Sequence, residues 1–218
     1  MIVRRGAEPI RYASRVDVRE LSIPHAYVFT PVQHADERGV FLETYRYEAV
    51  RDAVGHELAL RQANTSVSRK GVVRGIHYAL VPPGQAKYVT VSHGSILDFV
   101  VDIRVGSPTF GQWDSVLLDT TSRRAVYLAE GLGHAFVSLA EGATVSYLVS
   151  DLYRPDREHA VSPLDIALAL QLPHDIEYII SEKDRNAPSL AEAKDRGLLP
   201  LYDECLAYYE ARRAGADQ

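Results

Sequence analysis

Between Ala26 and about Tyr153, short runs of β-branched and aromatic residues alternate with Gly, Pro, Asp and Asn. That pattern predicts many short strands closed by turns, as in a β-sandwich or barrel. Strands are predicted over 27–31, 62–68, 88–92, 96–104, 112–118, 125–128, 134–139 and 144–149. One helix is expected over 45–54, stopped by Gly55, and residues 1–24 read as an irregular lead-in. Past Asp151 the strand signal fades. Ser189-Leu190-Ala191-Glu192 then reads as a capping box with Gly197 as the stop, which predicts a helix over 190–196. A second peripheral helix is expected over 200–214.

Alternation within two strands bears on where polar groups point. Over 96–104, Leu97, Phe99, Val101 and Ile103 share one face, the one expected to pack against a second sheet. Ile96, Asp98, Val100, Asp102 and Arg104 share the other. Gln62, Asn64, Ser66 and Ser68 form a similar polar stripe. Such stripes are either a solvated outer face or the lining of a polar cavity inside a barrel, and alternation alone leaves both open.

Composition narrows the class. The 218 residues are 46% hydrophobic and 24% charged, the balance of one globular domain with a sizeable core. No run approaches the roughly 20 apolar residues of a membrane span, and Met1–Gly6 shows no signal-peptide core. The one cysteine, Cys205, excludes an internal disulfide and a thiolate zinc cage, and suits a reducing cytoplasm. With 24 Lys and Arg against 29 Asp and Glu and no basic run, nucleic acid is not the expected partner. A small anionic ligand held by a few basic groups in a cleft remains compatible with that balance.

The chemistry concentrates in Gly71-Val72-Val73-Arg74-Gly75-Ile76-His77-Tyr78 and the following Gly84-Gln85-Ala86-Lys87. Two cations flank one imidazole there, an arrangement suited to an anionic ligand. Glu130-Gly131-Leu132-Gly133-His134 places a second histidine at the start of a strand, and Tyr147 shares a face with Val145 and Val149. A cupin metal site would need a His-x-His pair, but Ala79 stands two places after His77 and no Glu follows closely. Only His134, after Gly131, has the spacing of a cupin ligand, and one ligand does not hold a metal.

Five segments together resemble the dTDP-4-dehydrorhamnose 3,5-epimerase family. They are Asp36-Glu37-Arg38-Gly39-Val40-Phe41-Leu42-Glu43, Gln62-Ala63-Asn64-Thr65-Ser66, Lys70 through Tyr78, Val101 through Gly111, and Ser181-Glu182-Lys183-Asp184. Their order and spacing cover roughly residues 26–184. The resemblance implies an all-β, cupin-type jelly roll (a double-stranded β-helix) with short, mainly C-terminal helices. It also implies a homodimer needing neither cofactor nor metal, acting on a dTDP-linked 4-keto-6-deoxyhexose. The domain reading is a lead-in over 1–25 that is a candidate dimer element, an epimerase domain over 26–185 and a helical extension over 186–218.

By that resemblance His77 matches the catalytic base, Tyr147 the general acid and Asp184 the carboxylate paired with the histidine. Lys87 would stabilise the enolate oxygen. Arg38, Glu43, Gln62, Asn64, Arg74, His134, Glu158 and Lys183 match substrate-binding positions, with Asp98 behind them. These types suit epimerisation beside a ketone: the C4 carbonyl makes the C3 and C5 protons acidic, so a base on one face and an acid on the other suffice. Ala79, Pro163-Leu164-Asp165 and Leu172-Pro173 depart from the commonest family pattern and resemble the branch serving antibiotic deoxysugars. Two other readings are a metal-dependent cupin enzyme and a nucleotide-sugar-binding module without catalysis. A 3,4-ketoisomerase on a similar fold is a third.

Overall fold

Two sheets, antiparallel except for one short parallel pairing, face each other in the computed structural model, which describes residues 16–216. In chain order the elements are β1 (Asp17–Glu20), β2 (Ala26–Thr30), β3 (Gln33–Asp36), β4 (Gly39–Leu42), α1 (Tyr47–Val54), β5 (Gln62–Ser68), β6 (Val72–Ala79), β7 (Lys87–His93) and β8 (Ser95–Val101). There follow β9 (Trp113–Asp119), β10 (Ala125–Leu128), β11 (Gly133–Ser138), β12 (Ala143–Val149), β13 (Glu158–Ala160), β14 (Ile179–Ile180), α2 (Glu182–Arg185), α3 (Leu190–Asp195) and α4 (Tyr202–Ala216). The first sheet runs β1-β2-β10-β7-β12-β5; the second runs β13-β6-β11-β8-β9, with β14 added beside β6. This is the jelly roll that the family resemblance implies. The hairpin β3–β4 stands apart as its own two-stranded sheet.

Most predicted elements fall within a residue or two of their places. Gly55 ends α1 in the left-handed conformation at φ 88°, and the Ser189–Glu192 capping box closes reciprocally. Three readings need correction. The lead-in is not irregular throughout, because Asp17–Glu20 pairs with β2; residues 1–15 lie outside the described residues. Strand β6 was absent from the predicted set, because Gly71 and Gly75 interrupt its apolar pattern.

The third concerns the faces of β8. Phe99 and Val101 turn away from the first sheet, joining Val73, Ile76, Tyr78, Ala135 and Val137 beneath Leu168, Leu172, Leu190 and Leu199 of the C-terminal segment. Ile96 and Val100 turn toward the first sheet, clustering with Val89, Val91, Leu118, Phe136 and Val145. Both faces are therefore covered, and alternation cannot say which cover is a sheet. Asp98 sits on the inward face. Asp102 and Arg104, beyond the strand end, make a fully buried bidentate pair, with bonds of 2.9 and 2.7 Å. Arg104 also lies over the Tyr202 ring and donates to the Pro24 carbonyl, tying α4 to the barrel.

Candidate active site

Between the sheets opens a cavity of about 420 Å³, whose lining includes Gln62, Asn64, His77, Gln85, Lys87, Tyr147, Tyr153, Glu158, His159 and Lys183. The first sheet supplies its wall by register. Asn64 lies opposite Tyr147, and Val149 lies between Gln62 and Lys87 on its two neighbouring strands. Cross-strand partners share a face, so these side chains project inward together. Gln62 and Asn64 of the β5 stripe line the cavity, Ser66 and Ser68 continue their face without lining it, and of the exposed Ala63, Thr65 and Val67 only Thr65 also borders the cavity.

The opposite wall depends on an irregularity in β6. His77 pairs with His134 and Arg74 with Phe136, so three steps on β6 match two on β11. The extra residue is a β-bulge, and it places Arg74 and His77 on the same inward face despite their odd spacing. Gly75 carries the bulge at φ +118°; a Cβ there would run into the His134 carbonyl and Ala135.

His77 Nε2 is 2.7 Å from Asp184 Oδ1. The carboxylate accepts from Nε2–H, which leaves the Nδ1 lone pair for a ligand. Asp184 also accepts the Gly75 N–H, and its own N–H donates to Ser181 Oγ at the start of α2. Burial pushes the Asp184 carboxyl up, but the bonds from His77, Gly75 and Ser181 and the charge of His77 together hold it below the usual carboxylate value. Lys87 is buried, which lowers its pKa, while Glu158 and Asp98 pull it back up. Burial raises the Tyr147 phenol, Arg74 opposes that, and Glu158 adds to it. The phenol is therefore a protonated donor at neutral pH, with a cation near enough to favour the phenolate once formed.

Other predicted site residues lie elsewhere. His134 does not line the cavity: it is buried and bonded to Asp98 at 2.7 Å. Arg74 donates through Nε to Ser68 Oγ at 3.3 Å. Arg38, 84% exposed, pairs with Asp36 on the β3–β4 hairpin, and Glu43 pairs with Arg46; neither lines this cavity. Sequence reasoning missed Thr65, Gln85, Tyr153 and His159. The three-residue β13 is too short to show a period, and Gln85, in a loop, donates to the Asp151 carbonyl as an ordinary loop amide does. Each of the two inward histidines is engaged by its own carboxylate, and among the described residues no three His, Cys, Asp or Glu side chains form a group able to hold a metal.

The family model for dTDP-4-dehydrorhamnose 3,5-epimerase matches residues 20–192. The chain is 52% identical over 195 residues to a Mycolicibacterium smegmatis dTDP-4-dehydrorhamnose 3,5-epimerase, covering 89% of this chain and 96% of that one. It is equally 52% identical over 190 residues to a Streptomyces niveus dTDP-4-dehydrorhamnose 3-epimerase, covering 87% and 91%. Among solved structures, a 3'-monoepimerase from Streptomyces bikiniensis in complex with dTDP-quinovose superposes with a TM-score of 0.87 at 49% identity, covering 89% and 98%.

Proposed function

The chain belongs to the dTDP-4-dehydrorhamnose 3,5-epimerase family, and from that premise we propose that it inverts C3, C5 or both in a dTDP-linked 4-keto-6-deoxyhexose. The observation that carries the reading is that His77 with Asp184, from one sheet and its flank, shares a cavity with Tyr147 and Lys87 of the other sheet. His77 Nδ1 removes the proton next to the ketone. The electron pair moves onto the C4 oxygen, where the Lys87 ammonium meets it; preorganised donors of this kind contribute about 3–4 kcal/mol. Asp184 stabilises the imidazolium. Tyr147 returns a proton to the opposite face, and Arg74 stabilises the phenolate left behind. Gln62, Asn64, Glu158 and Lys183 hold the sugar and diphosphate. The relatives include both double and single epimerases, so the reaction class is common while the carbon inverted differs among them.

The test is proton NMR of dTDP-4-keto-6-deoxyglucose with the protein in deuterium oxide. Deuterium is expected at C3, at C5 or at both, with a matching change in ring couplings. Binding of dTDP with no exchange at either carbon would leave a binding module instead of an enzyme.

The same proposal includes a homodimer. Arg38 and Glu43 lie off their own chain's cavity, on a hairpin that exposes Val40 and Phe41. They act as substrate-binding residues when a second copy's hairpin reaches the cavity. Light scattering should give the mass of two chains; the mass of one would remove both roles. A cytoplasmic setting is supported by the lone, buried Cys205. Among the described residues no helix is long and apolar enough to cross a membrane.

A further inference from the structure

Close to Lys87 lies a buried carboxyl to which the mechanism gives no role. Lys87 is the first residue of β7, and it pairs with Leu128 on β10 and with Val149 on β12. Glu130 stands two residues beyond Leu128 and Ser150 one beyond Val149, so both flank the backbone that leads into β7. Glu130 is 1% exposed. Its Oε1 accepts the Ser150 hydroxyl proton at 3.0 Å, and Ser150 Oγ in turn accepts the Ala86 N–H at 2.8 Å. The Ser150 N–H donates to the Ala86 carbonyl at 3.1 Å, and Gln85 Nε2 donates to the Asp151 carbonyl at 3.0 Å. Glu130 is itself gripped: the Tyr209 hydroxyl donates to its carbonyl, and a Cβ on Gly84 would come within 2.6 Å of Glu130 Cβ.

We infer that Glu130 is a positioning residue for this reaction: by fixing Ser150 it holds Ala86, and so sets where the Lys87 ammonium stands against the enolate oxygen. A hydroxyl has one proton and two lone pairs, and it rotates to suit its neighbours. Because Glu130 takes that proton, a lone pair of Ser150 Oγ stays directed at the Ala86 N–H. Without the carboxyl the hydroxyl is free to turn, and the residue before Lys87 loses its fixed acceptor at a strand end, where a ladder opens most readily. Burying a carboxyl with Oε2 unpaired costs stability, which an apolar side chain of similar size would not. The return is geometric: a displaced catalytic group loses up to about 10²-fold in rate for a shift of about 1 Å. Glu130 does not line the cavity, so it acts through Lys87 and not on the substrate.

This inference rests on the epimerase reading, which the wild-type protein tests separately: no deuterium at C3 or C5 of dTDP-4-keto-6-deoxyglucose removes that reading, whatever the variants do. Where the wild type exchanges, Glu130→Leu should lower the maximal exchange rate about 10–10²-fold and leave the calorimetric affinity for dTDP within about threefold. Ser150→Ala should lose a similar factor, and it decides the matter should the Leu variant not fold. Glu130→Gln keeps an acceptor at Oε1 and should recover the rate to within about threefold of wild type. Added to Lys87→Ala, Glu130→Leu should cost less than about threefold more, because the group it positions is gone. The role is overturned by wild-type rates in Glu130→Leu and Ser150→Ala, by equal losses of rate and dTDP affinity, or by a Gln variant as slow as Leu. A full further loss in the Lys87→Ala background would overturn it as well, since Glu130 would then act on something other than Lys87.

Discussion

His77→Ala is expected to slow solvent deuterium exchange by about 10²–10⁴-fold at each of C3 and C5 that the wild type exchanges, the usual contribution of a positioned general base. Of the two histidines that line the cavity, His77 and His159, His77 is the one hydrogen-bonded to a carboxylate, and His134 with its partner Asp98 does not line it. No second base in the lining is held by a carboxylate that stabilises its protonated form. Tyr147→Phe should behave differently. It leaves the His77–Asp184 pair untouched, so exchange at the carbon facing His77 should persist while inversion is lost, because the proton returns from the face it left. An Ala variant exchanging at the wild-type rate would show that the base is another group. A Phe variant that still inverts would show that water or a different acid delivers the second proton.

Gly75→Ala should cost on the order of 3 kcal/mol of stability, and activity should fall even at temperatures where the variant is folded. Two terms add. A non-glycine residue at φ +118° is strained by about 1–3 kcal/mol, and forcing a methyl into a packed site costs a similar amount. The obstacles are the His134 carbonyl and Ala135, backbone and short side chain that cannot swing aside. Relief would come from straightening the bulge, which moves Arg74 or His77 off the inward face and parts Asp184 from the Gly75 N–H. Thermal unfolding should show a midpoint lowered by about 6–12 °C for a chain of this size. Unchanged stability with full activity would mean that the bulge does not hold the site.

The segments around His77 and Lys183–Asp184 are legible as chemistry because they are contiguous and their residue types are restrictive. Strand β12 is legible because Val145, Tyr147 and Val149 alternate cleanly. Alternation assigns the faces of β8 the wrong way round, since Leu168, Leu172 and Leu190, far downstream in the chain, cover the face that it gives to a second sheet.

Residue order and local periodicity are enough to establish a many-stranded β fold, the capped helix that follows Ser189, the last helix after it and the family to which the chain belongs, because each of these is written in neighbouring side chains. Folding alone decides which face of a doubly covered strand turns inward, that Arg74 and His77 share a face across a bulge, and that Arg38 and Glu43 stand away from the cavity of their own chain. Those are properties of pairing between distant segments, and a single inserted residue or a loop packed from afar changes them without altering the local pattern.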